Sequence, residues 1–152
     1  MIRLISPGDT AAIDQICRLE RDAFGEGGLN RWHLMPLVRH GRVFGYFENG
    51  ILTGCAQFIL DWENRDKAYL YGVSMTDGHR GRGGGTALLK SCLAVLAAEG
   101  IMQVELTVDP DNLAARKVYE EKLGFRIVGH RSDEYGPGET RLVMELEPLF
   151  SP

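Results

Sequence analysis

His79-Arg80-Gly81-Arg82-Gly83-Gly84-Gly85-Thr86 is the most informative stretch of this sequence. It follows Ala68–Met75, which is typical of a β-strand, and it leads into Thr86–Glu99, a mostly apolar segment that predicts a buried helix. The first turn of a helix presents unpaired backbone N–H groups and the positive end of the helix dipole. Glycines remove side chains that would keep a phosphate from those groups, and Arg80 and Arg82 add cationic donors. The stretch therefore predicts a pyrophosphate-binding loop.

The stretch matches the consensus sequences of other glycine-rich phosphate-binding loops less well. A Walker A loop has Lys-Ser or Lys-Thr directly after its last glycine, whereas Thr86 follows Gly85 and the nearest lysine is Lys90. A dinucleotide-binding GxGxxG fingerprint would begin at Gly81 but would meet Thr86 at its last position. A flexible turn before a core helix is the plain structural alternative.

The composition indicates a folded globular protein. Its 152 residues predict a single domain, 1–152, and 44% of them are hydrophobic while 25% are charged. A formal charge of −4 argues against a nucleic-acid partner. The longest apolar run, Cys92–Ala98, is too short to span a membrane, and the N-terminal MIRLISPGD lacks the apolar core of a secretory signal.

The cysteines, Cys17, Cys55 and Cys92, are odd in number and lie among apolar neighbours. This favours reduced core residues in a cytoplasmic protein over a disulfide framework. No spacing of cysteine and histidine resembles a zinc site, so we expect no metal.

Hydrophobic periodicity predicts the element order β-α-α-β-β-β-α-β-α-β-β. Asp9 and Thr10 begin a helix that reaches Phe24 and carries one polar residue, Glu20, on its apolar face. Asn49-Gly50 predicts a tight hairpin turn between the strands Val43–Phe47 and Ile51–Leu60. Hairpins combined with helical crossovers predict an α/β (α+β) fold with a mixed sheet and helices on both faces. The other predicted elements are strands at Met1–Ser6, Ala68–Met75, Met102–Val108, Arg126–His130 and Thr140–Leu146, and helices at Asn30–His40, Thr86–Glu99 and Asn112–Glu121.

A second motif lies downstream and reads Asn112-Leu113-Ala114-Ala115-Arg116-Lys117-Val118-Tyr119-Glu120-Glu121-Lys122-Leu123-Gly124-Phe125. With Arg80–Gly85 it resembles the GCN5-related N-acetyltransferase (GNAT) superfamily, whose acyl-CoA loop reads (Q/R)xxGxG/A and whose later motif reads N-x-x-A-x-x-x-Y-E-x-x-G-F. Here one extra residue precedes Gly124-Phe125. The resemblance is good over residues 40–147, and the two N-terminal helices match by pattern only.

The resemblance implies a GNAT-like, mostly antiparallel sheet of six to seven strands that splays between strands 4 and 5. It implies that acetyl-CoA lies in the gap, where the backbone of Val73 and Met75 bonds the pantetheine arm and Asn112 reaches toward it. The residues implied to meet the pyrophosphate are Arg80, Gly81, Arg82, Gly83, Gly84, Gly85 and Thr86.

The implied activity is transfer of an acetyl group from acetyl-CoA to a primary amine, by direct attack in a ternary complex. Tyr119 is implied to protonate the departing thiolate. Strand N–H groups would stabilise the oxyanion, and the cysteines need no catalytic role. Packing on the sheet is the structural alternative for Tyr119, and a helix N-cap is the alternative for Asn112.

The resemblance does not identify the residue that acts as the general base. An aliphatic ammonium has a pKa of about 10.4 and must lose a proton before it attacks. The positions at which many relatives carry a glutamate hold Thr107 and Lys67 here. Glu105, which shares a strand face with Thr107, is the first substitute, and Tyr71 acting through water is the second. The weaker candidates are His130 and Glu134.

The acceptor amine is left open by the sequence. The loop Ser132–Glu139 and the strand Arg141–Leu146 resemble the region that receives the acceptor in peptide N-terminal acetyltransferases of the superfamily. A peptide N-terminus, a lysine or a small amine all fit, in a monomer or homodimer, and an α-amine with a pKa of about 7.7–8.0 would need little help from a base. We expect Trp32 and Trp62 to pack rather than line the acceptor cleft.

The sequence leaves two other functions open. A non-catalytic acyl-CoA-binding or sensing module would bind the co-substrate without releasing thiol. A nucleotide-binding protein would bind ATP or NAD more tightly than CoA.

Overall fold

The computed structural model describes residues 1–149 and has a mixed α/β fold. The strands are β1 Ile2–Leu4, β2 Arg42–Glu48, β3 Ile51–Leu60, β4 Lys67–Met75, β5 Gln103–Val108, β6 Arg126–Arg131 and β7 Arg141–Leu146. The α-helices are α1 Thr10–Phe24, α2 Arg31–His40, α3 Gly84–Ala98 and α4 Leu113–Lys117. Short 3-10 turns occupy Gly25–Gly27 and Asp77–His79.

The seven strands form one sheet in the order β1-β2-β3-β4-β5-β7-β6. The pairs β1-β2, β2-β3, β5-β7 and β6-β7 are antiparallel, whereas β4-β5 is parallel. The parallel ladder is short and joins Lys67–Tyr69 to Gln103–Glu105, although β4 runs on to Met75. The predicted GNAT-like, mostly antiparallel sheet is thereby confirmed.

The chain divides into two compact units, and β4 and α3 each contribute residues to both. The first unit contains Met1–Ile59 and Tyr71–Leu93. The second unit contains Leu60–Leu70 and the chain from Ala94.

In the first unit, α1 and α2 pack their apolar faces into a common core with β2 and β3. Asp9 accepts a hydrogen bond from the Ala12 N–H at 3.2 Å, and Asn30 caps α2 in the same way. The predicted turn at Asn49-Gly50 is confirmed, since both residues have positive φ, of 52° and 78°. The largest fully buried members of this core are Ile5, Ile13, Ile16, Leu34 and Val43.

In the second unit, a wide helical turn follows α4. Val118–Lys122 is π-helical, and the Leu123 N–H donates to the Val118 carbonyl oxygen at 3.1 Å, five residues back. A π turn holds one more residue than the corresponding α turn. The π turn therefore accommodates the one extra residue that this chain has between Tyr119 and Gly124, compared with the GNAT motif.

Several side chains test the predictions on packing. Cys55 and Cys92 are buried and Cys17 is half-buried, all three are free thiols, and burial raises the pKa of Cys92 to about 12. The prediction that Trp32 and Trp62 pack is wrong, because their exposed fractions are 88% and 83%. Within residues 1–149, no helix combines the length and apolarity needed to traverse a bilayer.

Leu34→Ala should destabilise the protein by about 2–5 kcal/mol, because Leu34 is fully buried and its loss leaves a cavity. Leu113→Ala is the matched control on another helix, with an exposed fraction of 69%, and should change stability by less than about 0.5 kcal/mol. Urea denaturation of both variants measures the difference. Equal midpoints would contradict the assignment of Leu34 to the core.

Candidate active site

The glycine-rich loop contains two residues whose backbone conformation only glycine adopts without strain. Gly81 and Gly83 have φ values of 74° and 78°, in the left-handed region. Nothing lies within 4 Å of a Cβ built on either residue. The requirement for glycine at both positions is therefore set by the backbone conformation, and the space above the loop stays open.

The loop ends at the N-terminus of α3, which begins at Gly84 rather than at the predicted Thr86. Its first hydrogen bond runs from the Ala87 N–H to the Gly83 carbonyl oxygen, at 3.0 Å. The N–H groups of Gly84, Gly85 and Thr86 precede this bond and are donors for an anion. A Cβ on Gly84 would lie 2.8 Å from the Met75 Cε atom, so contact with β4 explains this third glycine.

Hydrogen bonds hold the entrance of the loop against the end of β4. Arg80 donates from Nε to the Met75 carbonyl oxygen at 3.2 Å, and it pairs with Asp77 at 2.6 Å. The His79 ring contacts the Thr76 hydroxyl at 2.8 Å and the Glu48 carboxylate at 2.9 Å. The two arginines predicted to meet phosphate, Arg80 and Arg82, are both exposed.

The second half of β4 places the predicted residues Tyr71, Val73 and Met75 in the same unit as the loop. Tyr71 is 48% exposed, Val73 is half-buried and Met75 is buried. Gly54 on β3 makes room for Met75, because a Cβ there would lie 2.4 Å from the Met75 sulfur.

A pocket of about 280 Å³ opens beside this part of β4. Its floor carries Glu20, which has an exposed fraction of 4%. Burial raises the pKa of the Glu20 carboxyl, and hydrogen bonds from Leu29, Gln57 and Ser74 offset part of the rise. The lining residues are Glu20, Phe24, Gly27, Leu29, Gln57, Tyr71, Gly72 and Val73.

The second unit carries Asn112 and Tyr119. Asn112 caps α4, since its Oδ1 accepts a hydrogen bond from the Ala115 N–H at 3.2 Å. Tyr119 is half-buried on the π turn, and its ring meets Phe125 edge-on at 5.9 Å. Burial raises the pKa of the Tyr119 hydroxyl, although the positive charge of Arg141 opposes the rise. The phenol is therefore protonated at neutral pH and has a proton to donate.

Glu105 lies in a network of ion pairs in the second unit. Its two carboxylate oxygens contact Lys67 at 2.8 Å and Arg131 at 3.2 Å. Lys67 also binds Glu145 at 3.1 Å. Burial lowers the pKa of Lys67, but the hydrogen bonds to Glu105 and Glu145 outweigh it and the net change is a rise. Both oxygens of Glu105 thus already hold cationic donors.

A polar group that sequence reasoning missed lies further along the same face of β5, at Thr107. The Tyr69 and Thr107 hydroxyls are 3.1 Å apart, and Arg141 donates to the Thr107 carbonyl oxygen at 3.1 Å. Arg141 also lies 5.6 Å from the centre of the Tyr135 ring. Burial raises the pKa of Tyr69. The parallel register of β4 and β5 brings this group together, and no local motif marks it.

The predicted residues thus fall into two groups. Tyr71, Val73, Met75 and Arg80–Thr86 share the first unit, and Glu105, Asn112 and Tyr119 lie in the second. Sequence reasoning also missed Glu20 as a member of a site. Its position on an otherwise apolar helix face was the available signal.

Known proteins similar to this chain are acetyltransferases. N-alpha-acetyltransferase 40 of Saccharomyces cerevisiae is 30% identical over 132 residues, which cover 69% of this chain and 46% of that protein. This chain therefore spans less than half the length of that relative.

Solved structures with the same fold cover the whole chain. The ribosomal-protein-S18-alanine N-acetyltransferase of Escherichia coli matches with a TM-score of 0.80 and 22% identity, over 100% of this chain and 97% of that one. An aminoglycoside 6'-N-acetyltransferase complexed with coenzyme A matches with a TM-score of 0.79 and 17% identity, over 100% and 98%.

A family model described as the acetyltransferase (GNAT) family matches residues 12–125. The matched range contains the strands β2 to β5, the glycine-rich loop and the π turn. The chain belongs to the acetyltransferase (GNAT) family.

Proposed function

We propose that this protein transfers an acetyl group from acetyl-CoA to a primary amine, by direct attack in a ternary complex. The observation that carries the proposal is the loop of Gly81–Gly85, whose left-handed glycines lead into the open N-terminus of α3. Such a terminus binds a diphosphate through backbone N–H groups and the helix dipole. We propose residues 1–152 as one acyltransferase domain acting in the cytoplasm.

Acetyl-CoA would be held mainly by backbone groups. The pyrophosphate would accept hydrogen bonds from the amides at Arg82–Thr86, with Arg80 at the entrance. The pantetheine arm would bond the backbone of Val73 and Met75, and Asn112 would reach toward it. The capping of α4 by Asn112 is compatible with this role, because only its Oδ1 atom is engaged in the cap.

Tyr119 would act as the acid. The reaction forms an N–C bond and breaks a C–S bond, so the departing thiolate needs a proton. The raised pKa of Tyr119 keeps its hydroxyl protonated until the thiolate develops. No covalent enzyme intermediate is required.

For the acceptor, we propose a primary amine, whether a peptide N-terminus, a lysine or a small amine. The yeast relative is named for an α-amine, and the solved neighbours are named for an alanine amine and an aminoglycoside. Tyr71, with half its surface exposed beside the pocket, would contribute to the acceptor site.

Replacing Gly83 with glutamate should weaken CoA binding by more than about tenfold. A non-glycine residue in the left-handed region costs about 1 kcal/mol, and the carboxylate adds repulsion of the diphosphate. Titration calorimetry with CoA measures the change. Gly8→Glu adds the same charge where a side chain has room, and it should bind CoA like the wild type. Unchanged affinity of Gly83→Glu would refute the loop assignment.

Tyr119→Phe should lower kcat by about 10²–10⁴-fold while the Kd for acetyl-CoA changes little, since only the proton donor is lost. The measurement is release of CoA thiol with an amine panel. Tyr46→Phe, on β2, is the control and should keep full activity. An unchanged rate for Tyr119→Phe would remove it from the mechanism. Binding of acetyl-CoA by the wild type without thiol release across the panel would favour the binding module instead.

Glu105 stays a prediction as the general base, and Glu105→Gln tests it through the pH dependence of kcat/KM. Because Lys67 and Arg131 already occupy its oxygens, we propose that it positions these cations. The variant should then keep the shape of the wild-type pH profile. Loss of the rising limb would instead identify Glu105 as the base.

A further inference from the structure

Glu20 is a buried carboxylate bound only by neutral donors. Its Oε1 atom accepts from the Gln57 amide at 3.4 Å and from the Ser74 hydroxyl at 3.5 Å, and its Oε2 atom accepts from the Leu29 N–H at 3.4 Å. The two N–H contacts are longer than the usual distance of about 2.9–3.0 Å, and the O–H contact is longer than the usual distance of about 2.7–2.8 Å. Among the described residues, no Lys, Arg or His forms an ion pair with it. The carboxylate thus retains capacity for a strong donor.

Gln57 adds a second acceptor without a partner. Its side chain has an exposed fraction of 0%, its amide donates to Glu20 and to the Cys55 sulfur, and its Oε1 atom has no hydrogen-bond partner among the described residues. A Cβ on Gly72 would lie 2.7 Å from this oxygen. The glycine therefore leaves a notch in β4 above the oxygen.

These atoms define what the pocket can bind. Its lining includes the Glu20 carboxylate, an acceptor with capacity for N–H or O–H donors, and Gln57, whose amide holds that carboxylate and whose Oε1 atom is buried. None of the described residues that line the pocket is a Lys, Arg or His, so a bound anion would meet the Glu20 carboxylate without a counter-charge. A primary ammonium carries three donors and a positive charge, so it supplies the strong donor for which this carboxylate has capacity.

We propose that Glu20 is the residue that receives the acceptor as an ammonium ion and removes its proton, with Gln57 orienting the carboxylate. This inference rests on the proposed acetyl transfer. The lining residues Tyr71, Gly72 and Val73 belong to the strand segment to which the pantetheine arm is assigned, so an amine in this pocket lies beside that segment. The ligand class is a primary aliphatic amine whose amine end enters a pocket of about 280 Å³.

The proton balance closes with these groups. One proton of R–NH3⁺ passes to the Glu20 carboxylate, and the freed lone pair forms the N–C bond as the C–S bond breaks. The thiolate takes a proton from the proposed acid, Tyr119, and water reprotonates the phenolate. The nitrogen, now bonded to carbon, gives its surplus proton to water. Glu20 then releases its proton to water, and the products are the amide and CoA thiol.

The environment of Glu20 makes it a stronger base than an exposed glutamate. Burial raises the pKa of this carboxyl, so it takes up a proton more readily. The groups that bind it, Gln57, Ser74 and the Leu29 amide, are neutral. The thiols of Cys17 and Cys55 interact with its charge, and burial raises the pKa of both; Tyr71 lines the same pocket.

The test compares Glu20→Gln with wild type in kcat/KM for a primary amine from pH 6 to 10. The wild type uses the ammonium together with ionised Glu20, so its kcat/KM should depend on pH less steeply than the fraction of free amine does, and it should fall through the pKa of the amine. The variant can use only the free amine, so its rate should climb about tenfold per pH unit below the amine pKa. At neutral pH the wild type should be about 10²–10⁴-fold faster, and the ratio should shrink as the pH rises.

Glu26→Gln, in the exposed turn after α1, is the matched control and should follow the wild-type profile. Stability gives a separate readout. Because the folded pKa of Glu20 is raised, the native state binds more protons than the unfolded state between the two pKa values, and stability falls as the pH rises through the folded value. Glu20→Gln has no ionisable group at this position and does not lose stability in this way, so its Tm at pH 7 should equal or exceed that of the wild type.

Three outcomes decide the matter. Wild-type protein that releases no thiol with any amine would overturn the proposed function itself. Active wild type with a Glu20→Gln variant of equal rate, or of lower rate by a factor constant in pH, would overturn this inference alone. If Glu20→Gln unfolds, Gly72→Ala replaces it: the added methyl fills the notch over Gln57 and should raise KM for the amine about tenfold, and an unchanged KM would overturn the inference.

Discussion

The candidate site depends on one constraint: where β4 leads into α3, side chains must not cover the backbone N–H groups. Gly81 and Gly83 turn the chain through left-handed conformations, and Gly84 lets the helix begin against Met75. Glycine therefore serves two different physical purposes here: a left-handed backbone conformation at Gly81 and Gly83, and close packing against Met75 at Gly84. Together they leave the first turn of α3 without side chains above it, which is the condition for a diphosphate to reach the dipole.

The parts of the fold that sequence could predict are those encoded locally. Asn49-Gly50 requires positive φ, Asp9 and Asn30 cap helices, and the glycine loop carries its own conformation. The exposed positions of Trp32 and Trp62 were mispredicted because aromatic size favours burial on average, while the neighbours that would cover them lie elsewhere in the chain. Local signals do not report such neighbours.

The residues of the candidate site show the same division. Tyr119 was found through its motif, and the extra residue after it became a π turn that lets Gly124 and Phe125 keep their place. Glu20 was visible only as a polar residue on an apolar face. Its partners Gln57 and Ser74 lie 37 and 54 residues away, and only the folded first unit brings them together. Likewise, Tyr69 and Thr107 meet through strand register.

The two glutamates of interest differ in environment rather than in chemistry. Glu105 is held by Lys67 and Arg131, so its negative charge is matched and its oxygens are occupied. Glu20 is equally buried but has only neutral, long hydrogen bonds, and burial raises its pKa. A buried charge without a counter-ion reduces stability, whereas a glutamine there could keep the same hydrogen bonds without that cost. A buried carboxylate without a counter-ion, beside an open pocket, is explained if it binds a cation from solution. In the proposed acetyl transfer, the cation that must lose a proton is the substrate ammonium.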